Sequence, residues 1–355
     1  MIVRAGARAL AHLRARGLAP GDVDLLPGAS GGAKWLVLAG ISQYLFGDFL
    51  QAPRTRPLPA IGSSIGSWRL ACLGQRDPVA ALARGHEAYI HHQQYSPRPD
   101  GAEVSAVLGR ALDHLLGPTG VDEILAHPTL RVHVVTARGH GLAARTERPL
   151  LAAGLGMAAA LNALHRRTLG WHFTRTLFHA PAHPSPLAAL RDLPTACAPL
   201  TRATLRDALL ASGSIPLLMD GVRIAGVPGL HWDGGVTDYH LALPYPHGDG
   251  VILYPHFYGH LVPGWFDKAL PWRQGGRGHP ARGLERVVVV APSPAFVASL
   301  PGGKIPDRRD FYAFPAAERV RRWEEARTRA LALGAQLRDL VTSGRIADVA
   351  QPLGA

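Results

Sequence analysis

Little in this sequence supports a protein held together by disulfides or metals. Cysteine occurs twice in 355 residues, at Cys72 and Cys197, which excludes a disulfide scaffold and a four-cysteine zinc site. With no oxidising context implied, both read as free thiols. No apolar run reaches the ~18 residues that a membrane-spanning helix needs. The longest candidate, Leu150–Leu164, is rich in Ala and Gly, contains Asn162, and reads as a buried helix. Lysine is scarce too: only Lys34, Lys268 and Lys304 stand among 38 basic residues, so arginine carries the net charge of +12. Such a skew is most simply a genome-composition bias. A basic surface still favours anionic partners, phospholipid headgroups or nucleic acid among them. The content of 7% aromatic and 18% charged residues argues against wholesale disorder.

The start of the chain, Met1–His12, lacks the apolar segment of a secretory signal. Its Arg-rich, acid-poor character also fits an organelle transit peptide. The simpler reading is an amphipathic first helix, with Val3, Ala7, Leu10 and Leu13 inward and Arg4, Arg8 and Arg14 outward. The expectation is a cytoplasmic protein, with peripheral association at an anionic membrane surface.

What is present is an alternation of short apolar runs and helical patterns. Val23–Leu26, Leu58–Ile61, Leu130–Thr136, His172–Phe178, Val251–Pro255 and Arg286–Ala291 read as buried strands. Ala33–Phe46, Trp68–Leu73, Pro78–His91, Glu103–Leu116, Leu151–Arg166 and Leu205–Ala211 read as helices, and a long charged helix spans about Pro315–Thr342. This order predicts an α/β fold with a mainly parallel sheet covered on both faces. The chain reads as one domain over 1–355. Its chemical motifs lie within 22–240, and the part from 258 to 355 carries the long helix. Pro181–Pro186 and Pro263–Gly283 read as surface loops, the second long enough to be an active-site lid.

Gly62-Ser63-Ser64-Ile65-Gly66 matches G-x-S-x-G between a strand and a helix, the setting of a nucleophile elbow. A helix N-terminus beside Ser64 favours its alkoxide. Gly28-Ala29-Ser30-Gly31-Gly32 matches the same pattern after the preceding strand. Only one of the two serines can be the nucleophile. The other reading of Gly28–Lys34 is a glycine-rich loop whose N–H groups meet an anion, as in an oxyanion hole. It is not a Walker A loop, because Ala33 separates Gly32 from Lys34 and Trp35 follows. Further on, Trp232-Asp233-Gly234-Gly235 places a carboxylate in a glycine turn, although Asp-Gly also occurs at 220 and 249 as a plain turn signal.

Taken in order, these motifs resemble the patatin-like phospholipase family. The family's Gly-Gly-Gly-x-Arg/Lys-Gly loop corresponds to Ser30-Gly31-Gly32-Ala33-Lys34-Trp35, with Ser30 and Trp35 in place of its first and last glycines. The family's Ala-Ser-x-x-x-Pro segment corresponds to Ala211–Pro216. The resemblance spans Gly28–Gly235 and leaves Tyr258–Ala355 without a motif. It implies a three-layer α/β/α patatin-like fold and a Ser–Asp dyad with no catalytic histidine. Ser64 would be the nucleophile, Asp233 the proton acceptor, and the N–H groups of Gly31, Gly32 and Ile65 the oxyanion hole. Lys34 would position that loop or meet a lipid phosphate. The implied substrate is a phospholipid, acylglycerol or other fatty-acyl ester, hydrolysed or transferred to an alcohol, with no cofactor and no metal. A non-catalytic lipid- or protein-binding relative is a further class.

Other patterns compete. His86-Glu87-Ala88-Tyr89-Ile90-His91 is one residue too long for a zincin helix, since ligands at i and i+5 do not share a face. His240, His247 and His256 follow Asp233 in the order of a Ser–Asp–His triad, which leaves that triad open. Cys72 reads as a small core residue, and Gly154-Leu155-Gly156 as close helix packing. Arg319–Arg329 is interleaved with acids and reads as a solvated helix face, so no nucleic-acid partner is expected.

Overall fold

The computed structural model describes residues 1–273 and 283–354. Among these residues ten strands form one sheet: β1 (Ile2–Ala5), β2 (Val23–Gly28), β3 (Leu58–Ser63), β4 (Leu130–Gly139), β5 (Phe173–His179), β6 (Thr195–Pro199), β7 (His231–Asp233), β8 (Val251–Pro255), β9 (Val287–Ala291) and β10 (Ala350–Pro352). Their order is β10-β1-β9-β8-β2-β3-β4-β5-β6, with β7 added beside β4. The centre, β9-β8-β2-β3-β4, is parallel throughout. Among the strands of the described residues, antiparallel pairing enters where β1 meets β9 and where β4 meets β5 and β7.

Side chains alternate between two cores, as a strand's two-residue period demands. Leu26, Ala60, Val134, Leu253 and Val288 face one core, while Leu25, Ile61, Val135, Ile252 and Val289 face the other. The helices Ile65–Leu73, Pro78–His91 and Gly101–Leu116 cover the first core. Both faces of the sheet are therefore buried, which is why these strands read as unbroken Val/Ile/Leu runs. The architecture is the three-layer α/β/α fold expected from the sequence. Among the described residues no helix is long and apolar enough to cross a membrane.

Several local expectations are corrected. Residues 2–5 form a strand inserted between β9 and β10 rather than the start of a helix, because these two strands, far along the chain, supply its ladder partners on both sides. The helix begins at Ala7, which faces solvent instead of the core. The helix expected over Ala33–Phe46 is divided: Gly32–Leu38 is wound as a tighter 3₁₀ turn before Ala39–Gly47 becomes α-helical. The segment Leu150–Leu164 is not buried all round. Its helix, Arg148–Leu164, buries Leu151, Gly154, Leu155 and Ala158 and leaves Leu150, Met157 and Leu164 in water. Part of the expected 263–283 loop, residues 274–282, lies outside the described residues. The preceding part is ordered into the short turns Trp265–Ala269 and Pro271–Arg273.

Candidate active site

The site forms at the carboxyl ends of the central parallel strands, where open α/β sheets place their ligands. β3 ends at Ser63, and Ser64 turns the chain into the helix Ile65–Leu73. Ser64 sits at φ 54°, ψ −133°, a conformation that L-residues rarely hold and that marks strain at a nucleophile elbow. The flanking glycines make the turn possible. A Cβ on Gly66 would lie 2.0 Å from the carbonyl oxygen of Gly28, and one on Gly62 would lie 2.3 Å from Cα of Ser67. The elbow is thereby pressed against the end of β2.

Asp233 arrives through sheet geometry. β4 pairs with β3 over Leu130–Val135 and with β5 over Val134–Gly139. β7 pairs with Thr136–Arg138, where β5 already occupies the other edge. β7 therefore lies on the edge that β3 has just vacated and runs antiparallel toward its end. Asp233, opposite Thr136, meets Ser64: the Ser64 hydroxyl donates to Asp233 Oδ2 at 2.6 Å. Asp233 Oδ1 accepts the Gly235 N–H at 2.6 Å. Both residues are 7% exposed. Burial pushes the Asp233 carboxyl up to about 6, opposed by the Ser64 and Gly235 hydrogen bonds and by Lys268 and Arg308.

Residues 211–216 join the two halves. The Ser64 N–H donates to Ser212 Oγ at 2.8 Å, and the Ser212 hydroxyl donates to the Val135 carbonyl at 2.6 Å. The Asp233 N–H donates to the Ser214 carbonyl and the Gly234 N–H to that of Ser212. Ser212 thus ties the elbow, β4 and the Asp233 turn together. Its signal in the sequence is the Ala-Ser-x-x-x-Pro segment, Ala211–Pro216.

The glycine-rich loop lies next to the elbow. Gly31 precedes the 3₁₀ turn Gly32–Leu38, and Ile65 opens the helix after Ser64, so the first N–H groups of both turns lack a partner from within their own helices. Gly32 holds φ 55°, open to glycine at little cost. Lys34 is half-buried, with Nζ 5.8 Å from the Phe257 ring centroid, and loss of hydration lowers its pKa. Trp35 turns into the core against His86 and Tyr89. Ser30 is buried and donates to Ser63 Oγ at 2.9 Å. Lys268 had no sequence signal beyond being one of three lysines. Its Nζ lies 3.6 Å above the Tyr239 ring, and loss of hydration, with Lys34 nearby, pushes its pKa down to about 7.

Of the three histidines that could complete a triad, His247 is exposed and the other two are engaged elsewhere. His240 Nδ1 accepts from the Val262 N–H and His256 Nδ1 from the Tyr258 N–H, both at 2.9 Å, and burial lowers the pKa of each. Ser64 meets Asp233 directly, with no imidazole between them. His86 packs on Trp35 while His91 pairs with Glu324, so the two diverge. Cys72 and Cys197 are free thiols, and burial pushes Cys72 up to about 12. A cavity of about 250 Å³ lies at the opposite end of β4, against Leu130 and Arg131, away from Ser64.

The patatin-like phospholipase family model matches residues 28–243, more than half of the chain. The chain belongs to this family of lipid acyl hydrolases. No match was found among curated proteins. Among solved structures, one match is the heterodimeric ExoU–SpcU complex of the type III secretion system of Pseudomonas aeruginosa. It is 13% identical, with a TM-score of 0.35, covering 92% of this chain and 53% of that one. The present chain thus spans about half the length of that protein.

Proposed function

We propose that the protein is a serine lipid acyl hydrolase working through a Ser64–Asp233 dyad. The observation that carries this reading is the 2.6 Å hydrogen bond from the Ser64 hydroxyl to Asp233 Oδ2, made at a strained elbow. Ser64 Oγ attacks the ester carbonyl while Asp233 takes its proton. Asp233 then returns that proton to the departing alcohol, leaving an acyl-enzyme that water hydrolyses with the same carboxylate as base. The carboxyl at about 6 suits this task, being ionised at neutral pH yet far more basic than an exposed aspartate. In this reading the N–H groups of Gly31, Gly32 and Ile65 hold the oxyanion. Lys34, with Lys268, supplies positive charge for an anionic part of the substrate. The reading requires no metal or cofactor.

The substrate class is a fatty-acyl ester, with phospholipids and acylglycerols first. An alcohol in place of water would give acyl transfer from the same acyl-enzyme. We also read 1–355 as one domain, supported by strands from both ends of the chain in one sheet. The test is product analysis on short- and long-chain acyl esters and phospholipids, with and without added alcohol. The expected product is free fatty acid, lost in Ser64→Ala. Undiminished turnover by Ser64→Ala would refute the reading.

A further inference from the structure

We propose that the outer face of the helix Arg148–Leu164, together with Trp171 and Trp272, is the surface by which the protein docks on an anionic phospholipid bilayer. The inference rests on the lipid-ester reading and names where that substrate is met.

The helix has two unlike faces. Its inner side packs Leu151, Leu155 and Ala158 with Trp232, the residue before Asp233. Its outer side exposes Leu150 at 42%, Met157 at 45% and Leu164 at 80%. Trp171 follows on the next turn at 70%, and Trp272 is exposed at 58%. Trp272 belongs to the same end of the helix, because the adjacent Arg273 donates to the Ala163 carbonyl. Large apolar side chains on a protein surface are mostly scattered, as Tyr312, Leu331 and Val349 are here; Leu150, Met157, Leu164, Trp171 and Trp272 instead share one helix and the turns at its end, which marks an interaction surface.

Charge selects the occupant. From Arg148 to Trp171 the chain holds three arginines and no aspartate or glutamate. Arg166 turns inward to Asp267, leaving Arg148, His165 and Arg167 at the two ends of the face. Glu147, at the N-terminal edge, is the nearest acid in sequence. An apolar helix face with basic ends and tryptophans at its margin fits the headgroup–acyl boundary of an anionic bilayer. A second copy seated about a twofold axis would set arginine against arginine.

The face is joined to the candidate active site. Asn162, on the helix, donates to Asp267 Oδ1 at 2.8 Å, and Arg166 and Arg273 pair with the same carboxylate. Asp267 adjoins Lys268, whose charge acts on Asp233. Docking of the helix would therefore hold both the strand that bears Asp233 and the turn that bears Lys268 at the lipid surface.

The test is co-sedimentation with vesicles of phosphatidylcholine alone and of equimolar phosphatidylcholine and phosphatidylglycerol. It compares the wild type with Met157→Glu/Leu164→Glu and, as a milder change, Trp171→Ala/Trp272→Ala. Turnover of a soluble short-chain ester and the melting temperature are followed in parallel. The expectation is binding to the anionic vesicles and weaker binding to the neutral ones. It falls at least about tenfold in the charged variant and severalfold in the tryptophan variant, with soluble-ester turnover within about twofold of wild type. Should the charged variant fail to fold, the tryptophan variant decides. Equal vesicle binding by wild type and variants overturns the proposal. So does a wild type that binds neither vesicle, or one that forms a dimer which the charged variant splits. Absent soluble-ester turnover with intact vesicle binding would refute the hydrolase reading and leave the docking surface standing.

Discussion

Two Gly-x-Ser-x-Gly turns lie side by side in this fold, and they do different things. Gly28–Gly32 follows β2 and Gly62–Gly66 follows β3, neighbouring parallel strands, and each leads into a helical turn. Ser64 holds a left-handed backbone and gives its hydroxyl to a buried carboxylate. Ser30 gives its hydroxyl to Ser63, and its N–H donates to the Tyr239 carbonyl. The motif therefore does not define a nucleophile. Strain at the serine and a carboxylate within hydrogen-bond reach distinguish the two turns, and the second of these depends on β7 taking the edge of β4 beyond the end of β3.

The sharpest way to break the comparison is to delete each hydroxyl. Ser64→Ala is expected to lower kcat by about 10⁴-fold or more, and Ser30→Ala by less than about tenfold, in initial-rate assays on one acyl ester. Asp233→Asn should come next, with a loss of about 10³-fold or more. Its stability should move the other way. The folded pKa of about 6 lies above the ordinary 3.8, so the buried carboxylate costs stability that is absent below 3.8 and complete above about 6. The variant should gain about 1–3 kcal/mol in denaturant melts near pH 8, and that gain should vanish toward pH 4. The same carboxyl sets the pH profile: kcat/KM should hold at neutral pH and fall about tenfold per unit below about 6, as the base becomes protonated.

Much of this was legible before the fold was known. The six apolar runs predicted strands that exist, because buried parallel strands carry the strongest pattern a sequence offers. The short strands β7 and β10 were not legible, since three residues hold no periodicity. The strand at Ile2–Ala5 was misread because its partners lie at 287–291 and 350–352. The helix at 148–164 was misread as buried from composition alone; its outer apolar residues carry no mark that distinguishes a core contact from an exposed one. Within the candidate site, the motif order brought Ser64 and Asp233 together on paper. Ser212 lay within the Ala-Ser-x-x-x-Pro segment, but its hydrogen bonds to the elbow and to β4 are visible only in three dimensions, and Lys268 had no pattern because a single lysine carries none.

Smaller effects sharpen the account of how the two turns are held. Gly66→Ala forces a methyl against the Gly28 carbonyl and should cost about 3 kcal/mol in denaturant melts, with activity reduced as the elbow shifts. Ser212→Ala leaves the Ser64 N–H and the Val135 carbonyl without that hydroxyl. It should cost about 1–3 kcal/mol and lower kcat more than it raises KM, the signature of a positioning residue rather than of substrate binding.

The most direct measurement is fluorophosphonate labelling followed by intact mass on the wild type, Ser64→Ala and Ser30→Ala, with lipid vesicles present. The account predicts one adduct on the wild type and on Ser30→Ala and none on Ser64→Ala. Labelling that survives Ser64→Ala and disappears in Ser30→Ala, or a wild type that stays unlabelled, would contradict it.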